Sequence, residues 1–249
     1  MQTNSKYNVM NIPQVIAEND IQRAFIKAVY FLSNNNWEYY NLVVHISNTE
    51  SYNNYNAEKL TDFAKSLEIR TPKVVASTIF PQGMYTAANS REELYDKYNR
   101  RLYPKAKYGR WGTYFNRMIS YNEEGEPINQ LENIILKIKT RKAHCKAAYT
   151  IYIQYPGNET TLKMGAPCLN YLAIQFEAGK IGLLATYRNH DFLERAYGNY
   201  VGLCNLIKFL SLETEFDTGP LTCISSHAYV LSHKQELLNV CRNIENGMA

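Results

Sequence analysis

Residues 192–212 (FLERAYGNYVGLCNLIKFLSL) constrain the fold most. Leu193, Tyr197, Tyr200, Val201, Leu203, Cys204, Ile207, Leu210 and Leu212 spread apolar side chains around a helix of this stretch. A helix that is apolar on most sides is buried within a core, not laid on a surface. Gly198 and Gly202 fall inside it, although a helix-interior glycine costs about 1 kcal/mol relative to alanine. They are expected where another backbone or a ligand comes close. The rest of the chain must wall this helix in.

Those walls are readable as mixed elements. Apolar residues recur at helical spacing over 20–32, 57–67, 90–101, 128–138 and 234–241. Ser90, with Glu93 three residues on, forms a capping-box signature. Apolar, β-branched runs at 42–46, 73–80, 147–154 and 221–230 predict strands. Residues 171–176 and 181–187, joined through Ala178-Gly179-Lys180, predict a hairpin. Interleaved strands and helices predict an α/β (α+β) fold, and 249 residues suffice for one domain, 1–249. His45, inside the first strand run, is read as a core or edge residue.

Several function classes are excluded by composition. The net charge of +4 is mild and unclustered, which argues against nucleic acid as a partner. Five cysteines without a CxxC pair indicate neither a zinc knuckle nor a disulfide framework. The sequence has no signal-like start and no apolar run of about 20 residues. A soluble cytoplasmic protein without a membrane partner is therefore expected. Neither a GxxxxGK[ST] loop nor a GxGxxG turn after a strand occurs. The segment 107–121 (KYGRWGTYFNRMISY) is dense in aromatic rings, with Gly109 and Gly112 permitting close backbone approach.

A reactive-site layout occupies 165–199, where Cys168 follows Ala-Pro and opens the hairpin. The ordered set is Ala166-Pro167-Cys168, Tyr187-Arg188-x-x-Asp191, Asn199 eight positions on, and His227-x-Tyr229. It resembles the thymidylate synthase superfamily, best over 107–235, while 1–106 diverges. The resemblance implies a large mixed sheet with helices on one side, paired as a homodimer. It also implies one-carbon transfer from 5,10-methylenetetrahydrofolate to C5 of a pyrimidine nucleoside monophosphate, with hydroxymethylation or nucleotide binding alone as alternatives.

By that resemblance Cys168 is the nucleophile that adds to C6 of the base, and only its thiolate attacks well. Arg188 becomes a phosphate ligand and positive neighbour of the thiol, and Asn189 stands where the family commonly has a serine that touches phosphate. Asn199 matches the reader of the base. Its amide complements the adjacent N–H and C=O of a uracil-type edge, whereas an aspartate would suit a cytosine edge better. His227 and Tyr229 match the pair that binds the sugar hydroxyl, and strand alternation puts both on one face. Asp191 matches an acid that helps hold the folate, and Tyr108 a member of the proton-transfer network. Departures are equally specific. Leu169 follows the cysteine where the family has histidine, and Ala76 falls at the family's catalytic glutamate, leaving Glu92 or Glu93 as substitutes. Ala147 and Ala148 fall near its partner-donated arginine pair, leaving Lys142 and Lys146 as point charges.

Overall fold

Alternation along the strands decides which side of the sheet is covered. The computed structural model describes residues 12–106, 111–122, 125–140, 148–157, 159, 161–162 and 164–247. Its strands are β1 (Gln14–Glu18), β2 (Glu38–Ile46), β3 (Tyr149–Tyr152), β4 (Leu169–Glu177), β5 (Lys180–Tyr187), β6 (His190–Asp191) and β7 (Asp217–Tyr229). They form one mixed seven-stranded sheet in the order β1-β2-β7-β5-β4-β3, with β6 paired to β7. Leu42, Val44, Cys223, Ala185, Tyr187 and Leu172 face the core and are fully buried. On the opposite face, Val15, Val43, Ile224, Thr186, Tyr171 and Tyr152 stand in register across six strands. None of that row is fully buried, and Val15 and Tyr152 are exposed.

The covered face carries α1 (Ile21–Ser33) and α9 (Ala196–Thr214), which pack on β2 and on β5 and β7 respectively. Asp20 starts α1 by accepting the Arg23 N–H at 2.7 Å. The remaining helices are α2 (Asn54–Ser66), α3 (Pro72–Ile79), α4 (Gln82–Thr86), α5 (Arg91–Lys97), α6 (Tyr103–Ala106), α7 (Tyr114–Ile119), α8 (Gln130–Thr140) and α10 (Lys234–Asn246). As expected, α9 is the centre of the core, with Leu203, Leu206, Ile207, Phe209 and Leu210 fully buried. Ala178 and Gly179, both at positive φ, close the β4–β5 hairpin as a two-residue turn.

Two expectations are corrected, and one strand is added. The strand expected over 73–80 is instead a helix, α3, which ends at Ile79 with Phe80 extended. Val74 and Val75 favour strand locally, but Pro72 starts a helix well and Val75, Ala76 and Ile79 bury one helical face. The helix expected over 90–101 is α5 only to Lys97, continuing through a wider π turn over Tyr98–Leu102. Glu93 does cap the start, accepting the Asn89 N–H at 2.6 Å while Ser90 accepts the Glu93 N–H at 3.2 Å. The stretch before residue 20 contains β1, whose alternation is too short to announce itself.

Packing of α3 on α9 explains the two glycines. A Cβ at Gly198 would lie 2.6 Å from Val75 Cβ, and one at Gly202 would lie 2.8 Å from the Ala76 carbonyl oxygen. Four residues apart, both glycines lie on the α9 face that α3 approaches. Behind this pair, Arg91 of α5 donates to Glu132 of α8 and to Glu213 of α9, tying three helices together. Arg117 pairs in the interior with Glu159 at 2.6 Å, and Gln130 hydrogen-bonds both the N–H and the carbonyl of Tyr152. Those contacts pin the β3 edge. Gly202→Ala is expected to destabilise the fold by about 1–3 kcal/mol through backbone overpacking. Gly83→Ala, in open space, should be neutral or stabilising by up to about 1 kcal/mol. Urea unfolding of the two variants checks the contrast, and equal midpoints would contradict it.

Candidate active site

The start of β4, the end of β5, β6 and the first turn of α9 converge on Cys168. Register brings them together: the Arg188 N–H donates to the Cys168 carbonyl at 2.9 Å, continuing the hairpin ladder past its last residue pair. The Arg188 guanidinium donates to the Pro167, Leu162 and Ala166 carbonyls at 3.2, 2.6 and 3.4 Å. It therefore braces the loop that presents the cysteine, and it also hydrogen-bonds the thiol. Burial nevertheless wins at Cys168. Desolvation raises its pKa above the ordinary thiol range, against the opposing pull of Arg188 and Arg195. The thiol therefore rests protonated and not as an anion.

Asp191 organises the entry to α9. Its Oδ1 accepts the N–H groups of Leu193 and Glu194 at 2.9 and 3.2 Å. Burial raises its carboxyl above the usual carboxylate range despite those bonds. One residue earlier, His190 is buried and forms a relay. Its Nδ1 lies 2.9 Å from Ser225 Oγ and its Nε2 lies 3.1 Å from Asn199 Nδ2. Desolvation pushes the imidazole down to about 3, so it is neutral at physiological pH. Asn199 is only 3% exposed, and its Oδ1 has no hydrogen-bond partner. A buried acceptor left unpaired costs about 1–3 kcal/mol. A ligand N–H would relieve it.

These groups line a cavity of about 470 Å³. Cys168, Asn189, Asp191, Asn199 and Tyr229 all border it, so it unites five residues singled out by sequence. Arg188 stands behind the thiol instead of on the wall. His227 is also set back, with Nδ1 3.0 Å from Asn189 Oδ1, Nε2 2.7 Å from Glu38 Oε1, and its ring stacked on Tyr229. Tyr108, Lys142, Lys146 and Ala147 lie outside the described residues. Glu92 and Glu93 are not on the wall, and Glu93 instead pairs with Lys97. Ala76 is not there either: α3 presents Val75 and Thr78 to the cavity. A larger hollow of about 1450 Å³ lies along α3 and α9, and Ala76 faces it. None of Cys168, Asn189, Asp191, Asn199 and Tyr229 lines it.

Sequence reasoning missed His190, Ser225, Arg70, Glu194, Arg195 and Tyr114. All but Ser225 line the cavity. Tyr114 hydrogen-bonds the backbone of Cys168 and Leu169, and burial holds its hydroxyl well above the ordinary phenol range. One available signal was alternation, because Ser225 precedes His227 and Tyr229 at the same two-residue spacing.

A mixed-sheet α/β protein with a cysteine, an arginine behind it and a cavity of about 470 Å³ lined by polar and charged side chains is the class defined by this geometry. Against known proteins, no family model matches the chain. Similar curated proteins carry the name "Putative thymidylate synthase". Those of Methanosarcina acetivorans and Methanosarcina mazei are each 26% identical over 136 residues, 55% of this chain and 58% of theirs. That of Methanothermobacter thermautotrophicus is 24% identical over 157 residues, 62% of this chain and 66% of its own. The chain thus matches just over half the length of the first two. These similarities support a distant thymidylate synthase-like relationship and do not single out a member. No helix among the described residues is long and apolar enough to cross a membrane.

The neutral His190 makes stability depend on pH. Its folded pKa of about 3 lies below the ordinary value of 6.5. Between those values the unfolded chain binds a proton that the folded one does not. Stability from this group is therefore intact above about pH 6.5 and falls by about 1.4 kcal/mol per unit as pH drops through the window. Urea unfolding from pH 7 to pH 4 should show a shallower loss in His190→Gln than in the parent. Parallel slopes would contradict the buried neutral imidazole.

Proposed function

We propose that the chain transfers a one-carbon unit from 5,10-methylenetetrahydrofolate to C5 of a uracil-type pyrimidine nucleoside monophosphate. The observation that carries this reading is one cavity bordered by both Cys168 and the unpaired Asn199 Oδ1. The acceptor suits the ring N–H of a uracil edge, and one Asn199 amide hydrogen remains for the adjacent carbonyl. A base read in this way can present C6 to the Cys168 sulfur. Addition of the thiolate there moves electron density to C5, which becomes nucleophilic.

Other residues take roles that follow from their positions. Asp191 and Glu194 are carboxyl groups on the wall, and the raised Asp191 carboxyl suits proton exchange near the thiol. They compensate for the acid missing at Ala76. Arg195 and Asn189, on the wall, meet the phosphate, with Arg188 adding positive charge from behind. Tyr229, backed by His227, binds the sugar hydroxyl. The residues present also fit the cofactor. The Trp111 ring offers a planar face, and Asp191 offers an acceptor for ring N–H groups. Methylenetetrahydrofolate held there supplies the one-carbon unit. The open sheet face, with its row of Val15, Val43, Ile224, Thr186, Tyr171 and Tyr152, suits pairing with a second copy as a homodimer.

Hydroxymethylation is the second reading, in which water completes the reaction. It is favoured by the charged wall of Arg70, Asp191, Glu194 and Arg195, since such groups retain water. Incubation with 5-fluoro-dUMP and methylenetetrahydrofolate tests the step common to both. Mass spectrometry should find a covalent adduct on the Cys168 peptide that Cys168→Ala abolishes. Nucleotide binding without adduct would overturn one-carbon transfer and leave a binding pocket alone.

A further inference from the structure

The Ser225–His190–Asn199 relay is composed of groups that can each run in either direction. A serine hydroxyl donates or accepts, a neutral imidazole carries its proton on either nitrogen, and a carboxamide presents oxygen or nitrogen after a half-turn. In the arrangement present, Asn199 Nδ2 donates to His190 Nε2, so the ring proton sits on Nδ1 and points to Ser225 Oγ. Asn199 Oδ1 is then left without a partner. The reverse arrangement uses the same heavy-atom positions. Ser225 donates to Nδ1, Nε2–H donates to Asn199 Oδ1, and Asn199 Nδ2 is presented instead.

Packing lets hydrogens move without the ring moving. The Tyr187 ring stacks on His190 at 4.1 Å and 4°, Tyr200 meets it edge-on at 5.7 Å, and Phe192 abuts it at 5.2 Å. The imidazole plane is fixed by these neighbours. Desolvation keeps it from holding both protons, so one nitrogen always donates and the other always accepts.

We infer that Ser225, His190 and Asn199 form an invertible hydrogen-bond relay, through which one cavity accepts a cytosine edge as well as a uracil edge. With uracil, Oδ1 accepts the ring N–H and Nδ2 serves both the base carbonyl and Nε2. With cytosine, Nδ2 donates to the bare ring nitrogen, and Oδ1 accepts from both the exocyclic amine and Nε2–H. Base choice then lies in a positioning pair, His190 and Ser225, behind the residue that touches the base. This inference rests on the pyrimidine-nucleotide reading of the cavity.

Calorimetric titration with dUMP and dCMP tests it, alongside ¹⁵N spectra of histidine-labelled protein. The parent should bind the two nucleotides within about tenfold of each other. His190 should be protonated on Nδ1 with dUMP and on Nε2 with dCMP. Ser225→Ala would strand a buried N–H in the Nδ1 form only, and a buried donor without a partner is the costlier defect. It should therefore weaken dUMP by about tenfold and leave dCMP within about threefold. A dCMP affinity weaker than that of dUMP by more than about tenfold, one tautomer with both ligands, or equal losses in Ser225→Ala would overturn the relay and leave the nucleotide reading standing. Binding of neither nucleotide would overturn both.

Discussion

Covering α9 is the constraint on which the rest of the structure depends. A 19-residue helix with buried residues on nearly every side cannot rest on a surface. The sheet covers it from one direction and α3 from another, and Gly198 and Gly202 set how near α3 comes. The functional consequence lies at its N-terminal end. Because α9 is held so firmly, Asn199 in its first turn is held too, between the imidazole of β6 and the cavity that borders Cys168. Core packing therefore also positions Asn199.

The electrostatics of the site divide into a thiol and its surroundings. Arg188 and Arg195 favour the thiolate, yet burial prevails and leaves Cys168 with a raised pKa. Three guanidinium nitrogens of Arg188 are committed to carbonyls of the preceding loop, so this arginine shapes the loop that carries Cys168 as much as it adds charge. Carboxyl groups that could exchange the proton come from the β6–α9 turn and not from α3. The acid missing at Ala76 is thus a matter of which helix supplies the wall, since Ala76 turns toward α9 and the larger hollow.

Much of this was legible in the sequence. The apolar 192–212 stretch announced a central helix, the hairpin around Gly179 followed from alternation and a turn signal, and five of the singled-out site residues share the cavity. What was illegible depended on tertiary context. Val74 and Val75 favour strand until Pro72 and the α9 glycines make a helix the better packed choice. His190 was hidden because its meaning comes from Asn199 nine residues on and Ser225 thirty-five residues on, contacts that exist only after β6, α9 and β7 assemble. Arg188 was legible as a cation beside the thiol, but its carbonyl bonds were not.

For this distantly thymidylate synthase-like chain, the proposed reading places the reaction at Cys168 and the proton exchange on residues other than position 76. Its central claim is that Cys168 activates C5 of a bound pyrimidine nucleotide. Release of tritium from 5-tritiated dUMP in the presence of methylenetetrahydrofolate measures that activation directly. The predicted result is release that Cys168→Ala abolishes. Release no greater than that of Cys168→Ala, with dUMP, UMP, dCMP and CMP alike, would contradict it.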